Sequence, residues 1–488
     1  MRVSRVILCV LLQTAPVLFG QEPEFPLYNR RPYLQSLTST SVLIVTQSKA
    51  ELAAVLRFGV DPAMDIVITE PAPSHDHVFA LEGLLPDTLY RYKVSHPQVT
   101  EHPTATFRTL PGPGSDITVA AIGDSGTESN EQLMIAAKIE TLEPRLFLHA
   151  GDIVYPLGSP SNYQEKLIGV YRDLLMRICL YPVLGNHDCI RGPEYALYMF
   201  HLPGNNPAGD ESYYSYDAGD AHFAALNSCT GEIPPEQAAW LDEDLGKSTL
   251  PWKVVVVHHA PYSNAFHGST LAVRDVVAPI VERRGVDLVL SGHDHVYERS
   301  YPISGNEMQA GFQEPDYVHP GAPIYVVTGG GGAPLYDYTP TADAHLSAVF
   351  KSAHHYFKLR ITPELLEGTA IGLDDEVLDA FTIRKGEIVD PVLGFVRGDV
   401  DEDREVNLTD AVQILGFLFL GEREICKAAA DVDGTAEISI TDAVALLSYL
   451  FQGGTAPVAP FPGCGEDPAA DSTGCTARCE VPPPPPPQ

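Results

Sequence analysis

Four short strings set carboxylate, amide, imidazole or phenol side chains at or just beyond a glycine: GDSG at 123–126, GDIVY at 151–155, GNHD at 185–188 and GHDH at 292–295. A glycine followed by polar residues is where a buried strand ends in a tight turn and directs polar groups toward a shared pocket. Between the third and fourth strings, VVVVHHAPY at 254–262 adds two adjacent histidines. Side chains alternate along a strand, so His258 and His259 face opposite ways near its end. Hard oxygen donors converging with imidazole suit a pair of transition-metal ions.

The elements that must position these groups are apolar runs ending in the strings themselves: DITVAAIGD (116–124), RLFLHAGD (145–152), LYPVLGNHD (180–188), WKVVVVHH (252–259) and VDLVLSGHDH (286–295). Continuous Val, Leu and Ile indicate strands buried on both faces, and helix-like segments separate several of them. Helices layered over sheets follow from that pattern.

Upstream, 26–110 reads differently. SVLIVTQ, AVLRFGV, HVFALEGL and TLYRYKVS are short alternating runs punctuated by Pro, Asp and Ser, the spacing of a small all-β sandwich. PGPGS at 111–115 reads as a linker. Downstream, GDVDEDREVNLTD and DVDGTAEISITD each precede an apolar helical run, and Asp431 and Asp442 follow Asp399 and Asp410 by the same 32 residues. This is a tandem repeat, with carboxylates at the loop positions that bind calcium in EF-hand-like sites.

The order of the four strings resembles that of the calcineurin-like metallophosphoesterases. That family carries Asp-x-His as its first motif, with the His on the first metal, whereas Asp124-Ser125-Gly126 lacks it. Tyr155, three residues after Asp152, gives the GDxxY arrangement of the purple acid phosphatases, where a phenolate replaces the missing imidazole. YYSYDAGDAHFAALNS (213–228), VYER (296–299) and IYVVTGGGGAP (324–334) also resemble the purple acid phosphatase pattern.

The resemblance implies a first metal on Asp124, Asp152, Tyr155 and His295 and a second on Asp152, Asn186, His258 and His293, with Asp152 bridging. Relatives show a Ser five residues, and a substrate-contacting His nine residues, after the strand's ligand. Ser263 and His267 meet those offsets from His258, leaving His259 to orient or pack. A hard phenolate favours trivalent iron. The implied cofactor is Fe(III) plus a divalent Zn, Mn or Fe ion, with a visible charge-transfer colour. The implied reaction is hydrolysis of phosphate monoesters by attack of a metal-activated water or hydroxide. His187 and His267 are candidates for protonating the leaving alcohol. For His187 the competing reading is a hydrogen bond that orients its loop, and for His267 it is positioning of phosphate. The same ligands suit a phosphodiesterase or nucleotidase, and a degenerate phosphate-binding protein is a further alternative.

The fold implied is α/β: a four-layer α/β/β/α metallophosphoesterase sandwich over 116–385, preceded by an all-β sandwich and followed by a small α-helical calcium-loop module over 394–480. LPDTLYRYKV and TFRTLP resemble a fibronectin type III module. The repeat resembles a dockerin domain, with calcium on Asp399, Asp401, Asp403, Asn407 and Asp410 in the first loop and on Asp431, Asp433, Ser439 and Asp442 in the second. Arg404 and Ala436 stand where a glycine would ease each turn, and Thr435 replaces a carboxylate, so the second loop is expected to bind more weakly. That resemblance implies a cohesin-like or cell-surface partner and tethering to an extracellular assembly.

Residues 1–20, with Arg2 and Arg5 before VILCVLLQTAPVLFG, resemble a secretory signal peptide, which implies a periplasmic or extracellular protein. Its apolar core is too short to span a membrane. The net charge of -33 argues against nucleic acid or anionic membranes as partners. Seven cysteines follow the signal, and Cys426, Cys464, Cys475 and Cys479 resemble a stapled end to the repeat module. The closing VPPPPPPQ, whose residues 481–488 form the tail, is expected to be a solvated polyproline II spacer.

Overall fold

The computed structural model describes residues 28–96, 103–309, 315–385, 393–403, 405–421, 425–465 and 479–480. The signal segment 1–20, Arg404, Cys475 and the tail 481–488 lie outside the described residues. The chain divides into two compact units, 1–386 and 387–488.

The first unit begins with two antiparallel sheets. One orders Tyr28–Gln35, Ser41–Leu52 and Ser74–Glu82; the other orders Ile66–Thr69, Val55–Val60, Leu89–Ser95 and Thr104–Arg108. Alternation decides which side chains turn inward: Phe79 and Leu81 in one sheet, Tyr90, Tyr92 and Val94 in the other. Ile44, Leu56, Phe58, Phe79 and Tyr92 join a common core. Tyrosines fasten these two sheets to the rest of the unit. Tyr33 and Tyr92 donate their hydroxyls to the carbonyls of Met199 and Met176, each at 2.9 Å, and Tyr181 donates to Leu37 O at 2.6 Å. Within the PGPGS segment, Gly114 N–H donates to the Asp220 carboxylate at 2.9 Å.

Two seven-stranded sheets make up the larger part of the unit. The first orders Cys179–Pro182, Leu146–His149, Ile117–Ile122, His355–Ile361, Leu365–Gly372, Val377–Arg384 and Asp316–Val318. The second orders Tyr214–Ala218, Ala221–Leu226, Trp252–Val257, Leu288–Ser291, Ile324–Thr328, Tyr297–Ser300 and Ser347–Lys351. The run VVVV is buried on both faces because each face has its own partner. Val254 and Val256 pack in one cluster with Val119, Phe147 and Phe357 of the first sheet. Val255 and Val257 pack with Leu241 and Leu245 of helix Pro235–Lys247 and with Val273 and Val277 of helix Leu271–Arg283.

One charged group bridges the two sheets. Arg299, in Tyr297–Ser300, donates to both oxygens of Asp379, in Val377–Arg384, at 2.5 and 3.1 Å. It also donates to Tyr317 Oη at 2.6 Å, while the Tyr297 hydroxyl donates to Asp379 at 2.7 Å. Arg299 and Asp379 are 4% and 8% exposed at their side chains, so neither charge has solvent to fall back on.

The second unit is built on the repeat. Helices Leu408–Leu420 and Ile440–Gln452 begin at Asn407 and Ser439, whose side chains cap them, and end at left-handed Gly421 and Gly453. Their inward residues correspond at the repeat spacing: Ala411 with Ala443, Ile414 with Leu446. Cys426 and Cys464 are disulfide-bonded. In the first unit Cys189 pairs with Cys229, and Cys179 is a buried free thiol. Among the described residues no helix is long and apolar enough to cross a membrane.

Removing one partner of a buried ion pair strands the other charge, a loss of about 3–5 kcal/mol, whereas replacing both with apolar groups is near neutral. Arg299→Ala is therefore expected to lower unfolding stability by that order in urea, and the double change Arg299→Met with Asp379→Leu to recover part of it, the remainder reflecting the bond that the Tyr297 hydroxyl loses.

Candidate metal centre

Asp124, Asp152 and Asn186 follow Ile117–Ile122, Leu146–His149 and Cys179–Pro182, three adjacent parallel strands of the first sheet. His258 follows Trp252–Val257, and His293 and His295 follow Leu288–Ser291, parallel neighbours in the second sheet. Polar groups thus gather beyond the carboxyl ends of strands from both sheets, where open α/β folds place their ligands. Asp124, Asp152 and His293 take φ values of 56°, 50° and 70°, left-handed turns that non-glycine residues hold only when their surroundings impose them. The preceding glycines have a steric reason. A Cβ on Gly185 would lie 2.1 Å from Asp152 Oδ1, and one on Gly292 would lie 2.5 Å from Asp124 Oδ2. The glycine of one string clears the path of another string's carboxylate.

The Tyr155 hydroxyl sits among three groups: Asp124 Oδ1 at 3.0 Å, Asp152 Oδ2 at 2.9 Å and His295 Nε2 at 3.1 Å. Where an Asp-x-His motif would put its histidine, Gly126 leaves no room. A Cβ there would meet the Ile153 carbonyl oxygen at 2.1 Å, and Tyr155 N–H donates to Gly126 O at 2.9 Å. The loop that delivers the phenol therefore excludes any side chain at 126.

The histidines are oriented by carbonyls. His258 Nδ1 donates to Ala150 O at 2.8 Å, which aims its Nε2 lone pair at Asn186 Oδ1, 3.1 Å away, and at Asp152 Oδ1, 3.4 Å away. His295 Nδ1 donates to Pro334 O at 2.7 Å and directs Nε2 at Tyr155 and, at 3.6 Å, at Asp124 Oδ1. A carbonyl holding the far nitrogen is the usual arrangement of a metal-ligating imidazole. His293 lies against His258, with ring centroids 5.2 Å apart.

Charge completes the fit. Burial, then the neighbouring Asp152 charge, pushes the Asp124 carboxyl well above its ordinary range, and burial pushes Asp152 up to about 6. Burial, then the other histidines, pushes His258 well below its ordinary value and His293 down to about 2. Among the described residues, only histidines come within salt-bridge range of these two carboxylates. Converging lone pairs, buried carboxylates and neutral imidazoles form a donor set short of positive charge, which is what bound cations would supply. Asp124, Asp152 and His258 bring ligand atoms within 4.8 Å of one another.

His259 faces another way: its Nδ1 lies 3.1 Å from Ser228 Oγ and its ring packs on His293 at 4.3 Å. His187 donates from Nδ1 to Pro156 O at 2.7 Å and places Nε2 4.0 Å from Asp152 Oδ2. His267 is exposed, stacks on His293 at 4.1 Å, and donates its backbone N–H to Asp294 Oδ1 at 2.8 Å. Two carboxylates inside the strings have roles that their sequence positions do not assign. Asp294 also accepts from Ser263 Oγ at 2.6 Å, and Asp188 accepts from the backbone of Gly185 and Ile153 and from Tyr163 Oη. Both anchor loops, and a carboxylate next to a ligand position is the available signal.

In the repeat unit, Asp399, Asp401 and Asp403 form one carboxylate cluster, and Asp431, Asp433 and Asp442 another. Asp410 and Asp442 turn inward and accept the backbone N–H of Asn407 and Ser439, each at 2.8 Å. Asn407 and Ser439 themselves cap helices. Ala436 holds φ 66°, the conformation for which a glycine would be easier.

Residues 117–297 match the family model described as calcineurin-like phosphoesterase, so a metallophosphoesterase domain is present. The chain is similar to purple acid phosphatase 23 of Arabidopsis thaliana, 27% identical over 298 residues that cover 52% of this chain and 62% of the relative. It is also similar to acid phosphatase type 7 of Homo sapiens, 26% identical over 350 residues, 65% of this chain and 76% of the relative. A purple acid phosphatase isolated from yellow lupin (Lupinus luteus) seeds shares the fold, with a TM-score of 0.64 at 21% identity, covering 73% of this chain and 74% of that one. The chain thus spans less than two thirds of the Arabidopsis relative's length.

If His258 is the strand's ligand, metal analysis of His258→Ala should find about one ion fewer per chain than the unsubstituted protein, and His259→Ala should keep its full complement. The reverse ranking would assign the ligand to His259.

Proposed function

We propose that this chain is a secreted, binuclear metal-dependent phosphatase of the purple acid type that hydrolyses phosphate monoesters. The observation that carries the proposal is the Tyr155 phenol, which lies 3.1 Å or less from Asp124, Asp152 and His295. Tyr155, Asp124, Asp152 and His295 would hold Fe(III), and Asp152, Asn186, His258 and His293 a divalent Zn, Mn or Fe ion. Secretion is proposed from the resemblance of residues 1–20 to a signal peptide, and a four-layer α/β/β/α order from the likeness of fold.

Bound cations at such a site supply neutralisation of phosphoryl charge and a more acidic water. The chain's own groups do the rest. Asp152 belongs to both ligand sets, and Asp124 accepts the backbone N–H of His293 at 2.9 Å. His187, its Nδ1 committed to Pro156 O, presents Nε2 on the side of Asp152 and can carry a proton to the departing alcohol. His267, exposed beside His293, meets the phosphate or the leaving group from the second sheet. Asp294 fixes the His267 loop through two backbone N–H groups, of His267 and Gly268.

For the repeat unit we propose calcium binding and attachment to an extracellular partner of cohesin-like kind. Leu408, Val412 and Phe419 are exposed, and so are Ile440, Val444 and Phe451, the residues at the same positions of the second repeat. Apolar groups left in water in this duplicated pattern support a docking role.

The purified, metal-loaded protein is expected to show a broad visible band between roughly 500 and 600 nm and to hydrolyse a chromogenic phosphate monoester. Chelation should abolish both. Tyr155→Phe should lose the band and bind the first metal more weakly; retained absorbance would sink the tyrosinate assignment. Calcium titration by calorimetry should find two sites, the 431–442 loop weaker, and Asp399→Ala should remove the tighter one. Absence of heat at millimolar calcium would leave both loops as capped turns.

A further inference from the structure

The geometry points to an aromatic leaving-group subsite at the rim of the metal centre, an inference that rests on the phosphomonoesterase reading above. Phe266 is 69% exposed although it belongs to a tightly bonded loop. Its ring lies 5.0 Å from that of His267 and 5.3 Å from that of Tyr336. Each of those rings packs on a proposed ligand: His267 on His293 at 4.1 Å, and Tyr336 on His295 at 4.2 Å with an interplanar angle of 11°. The rings form an arc from one ligand imidazole to the other, and Phe266 is its outermost member and the one without a polar atom.

The arc is held from both sides. Before Phe266, Asn264 donates its backbone N–H and its amide to the two oxygens of buried Glu298, each at 2.7 Å. After it, the N–H groups of His267 and Gly268 donate to Asp294. The loop of Tyr336 is tied to the same Asn264, whose carbonyl accepts from Thr339 N–H and whose Oδ1 accepts from Thr341 Oγ1, both at 2.8 Å. A phenyl ring kept in water by this many bonds is pre-organised to receive another ring, edge-on or offset-stacked. The substrate class this favours is phosphate monoesters whose leaving group presents a planar aromatic ring, over aliphatic esters.

The test is calorimetric binding of phenylphosphonate and methylphosphonate, neither of which can be hydrolysed, to the metal-loaded full chain. It is run with unsubstituted, Phe266→Ala and Phe266→Trp proteins, alongside kcat/KM for phenyl phosphate, a nucleoside 5′-monophosphate and glycerol phosphate. Phe266→Ala is expected to weaken phenylphosphonate about 3- to 10-fold and leave methylphosphonate unchanged, with Phe266→Trp retaining the difference. The phenyl-to-glycerol ratio of kcat/KM should fall by a like factor, which cancels the intrinsic reactivity of the esters. A parallel fall for the nucleotide would extend the class to nucleosides, and a fall for phenyl phosphate alone would restrict it to aryl esters. Equal changes for both phosphonates would overturn the subsite and leave the phosphatase intact. An unsubstituted protein that binds neither and hydrolyses no monoester would overturn the phosphatase reading itself.

Discussion

Two carboxylates sealed from water side by side set the conditions for everything around them. Asp124 and Asp152 are both essentially unexposed; burial makes each harder to ionise, and the Asp152 charge adds to the burden on Asp124. Burying one unpaired charge is already unfavourable by several kcal/mol, about as much as a whole domain's margin of stability. A fold keeps such a pair only where something compensates, and here the nearby hydrogen bonds come from a phenol and from backbone N–H groups of His187 and His293. The carbonyls of Ala150 and Pro334 then hold the imidazoles so that lone pairs, not protons, face inward. The groups that converge come from both sheets, and the buried Arg299–Asp379 pair joins those same two sheets.

How much the sequence made legible depends on how local each signal is. A strand buried on both faces needs an unbroken apolar run, and Trp252–Val257 reads as one wherever it stands. The polar residues that end such runs are visible for the same reason. The duplicated loops were equally clear, because caps, turns and helix faces repeat together at Asn407 and Ser439. Contacts distant in sequence were not legible. Arg299 and Asp379 lie 80 residues apart, and although Arg299 ends the VYER string, nothing in that string points to Asp379 as its partner. The insertion of Asp316–Val318 at the far edge of the first sheet, parallel to Val377–Arg384, has no signature in its own three residues. Nor does the sequence disclose that Asn264 ties two loops together.

The paired histidines illustrate the boundary between these cases. Alternation says that His258 and His259 diverge, which is a local statement. Which one turns toward the carboxylates depends on Ala150 O on one side and Ser228 Oγ on the other, groups supplied by distant strands. Offsets to Ser263 and His267 selected the same residue only through resemblance to other proteins, and the hydroxyl of Ser263 proves to serve Asp294.

The contact between Gly126 and the Ile153 carbonyl ties the choice of residue at one position to the path of a loop elsewhere. With 2.1 Å between a would-be Cβ and that oxygen, no side chain can be introduced at 126 while the 151–155 loop keeps its path. A histidine at 126, the position it takes in an Asp-x-His motif, is therefore incompatible with the loop path that brings the Tyr155 hydroxyl to Asp124 and Asp152. Gly126 and Tyr155 are thus sterically coupled: a side chain at the first requires the backbone between Asp152 and Tyr155 to take another path.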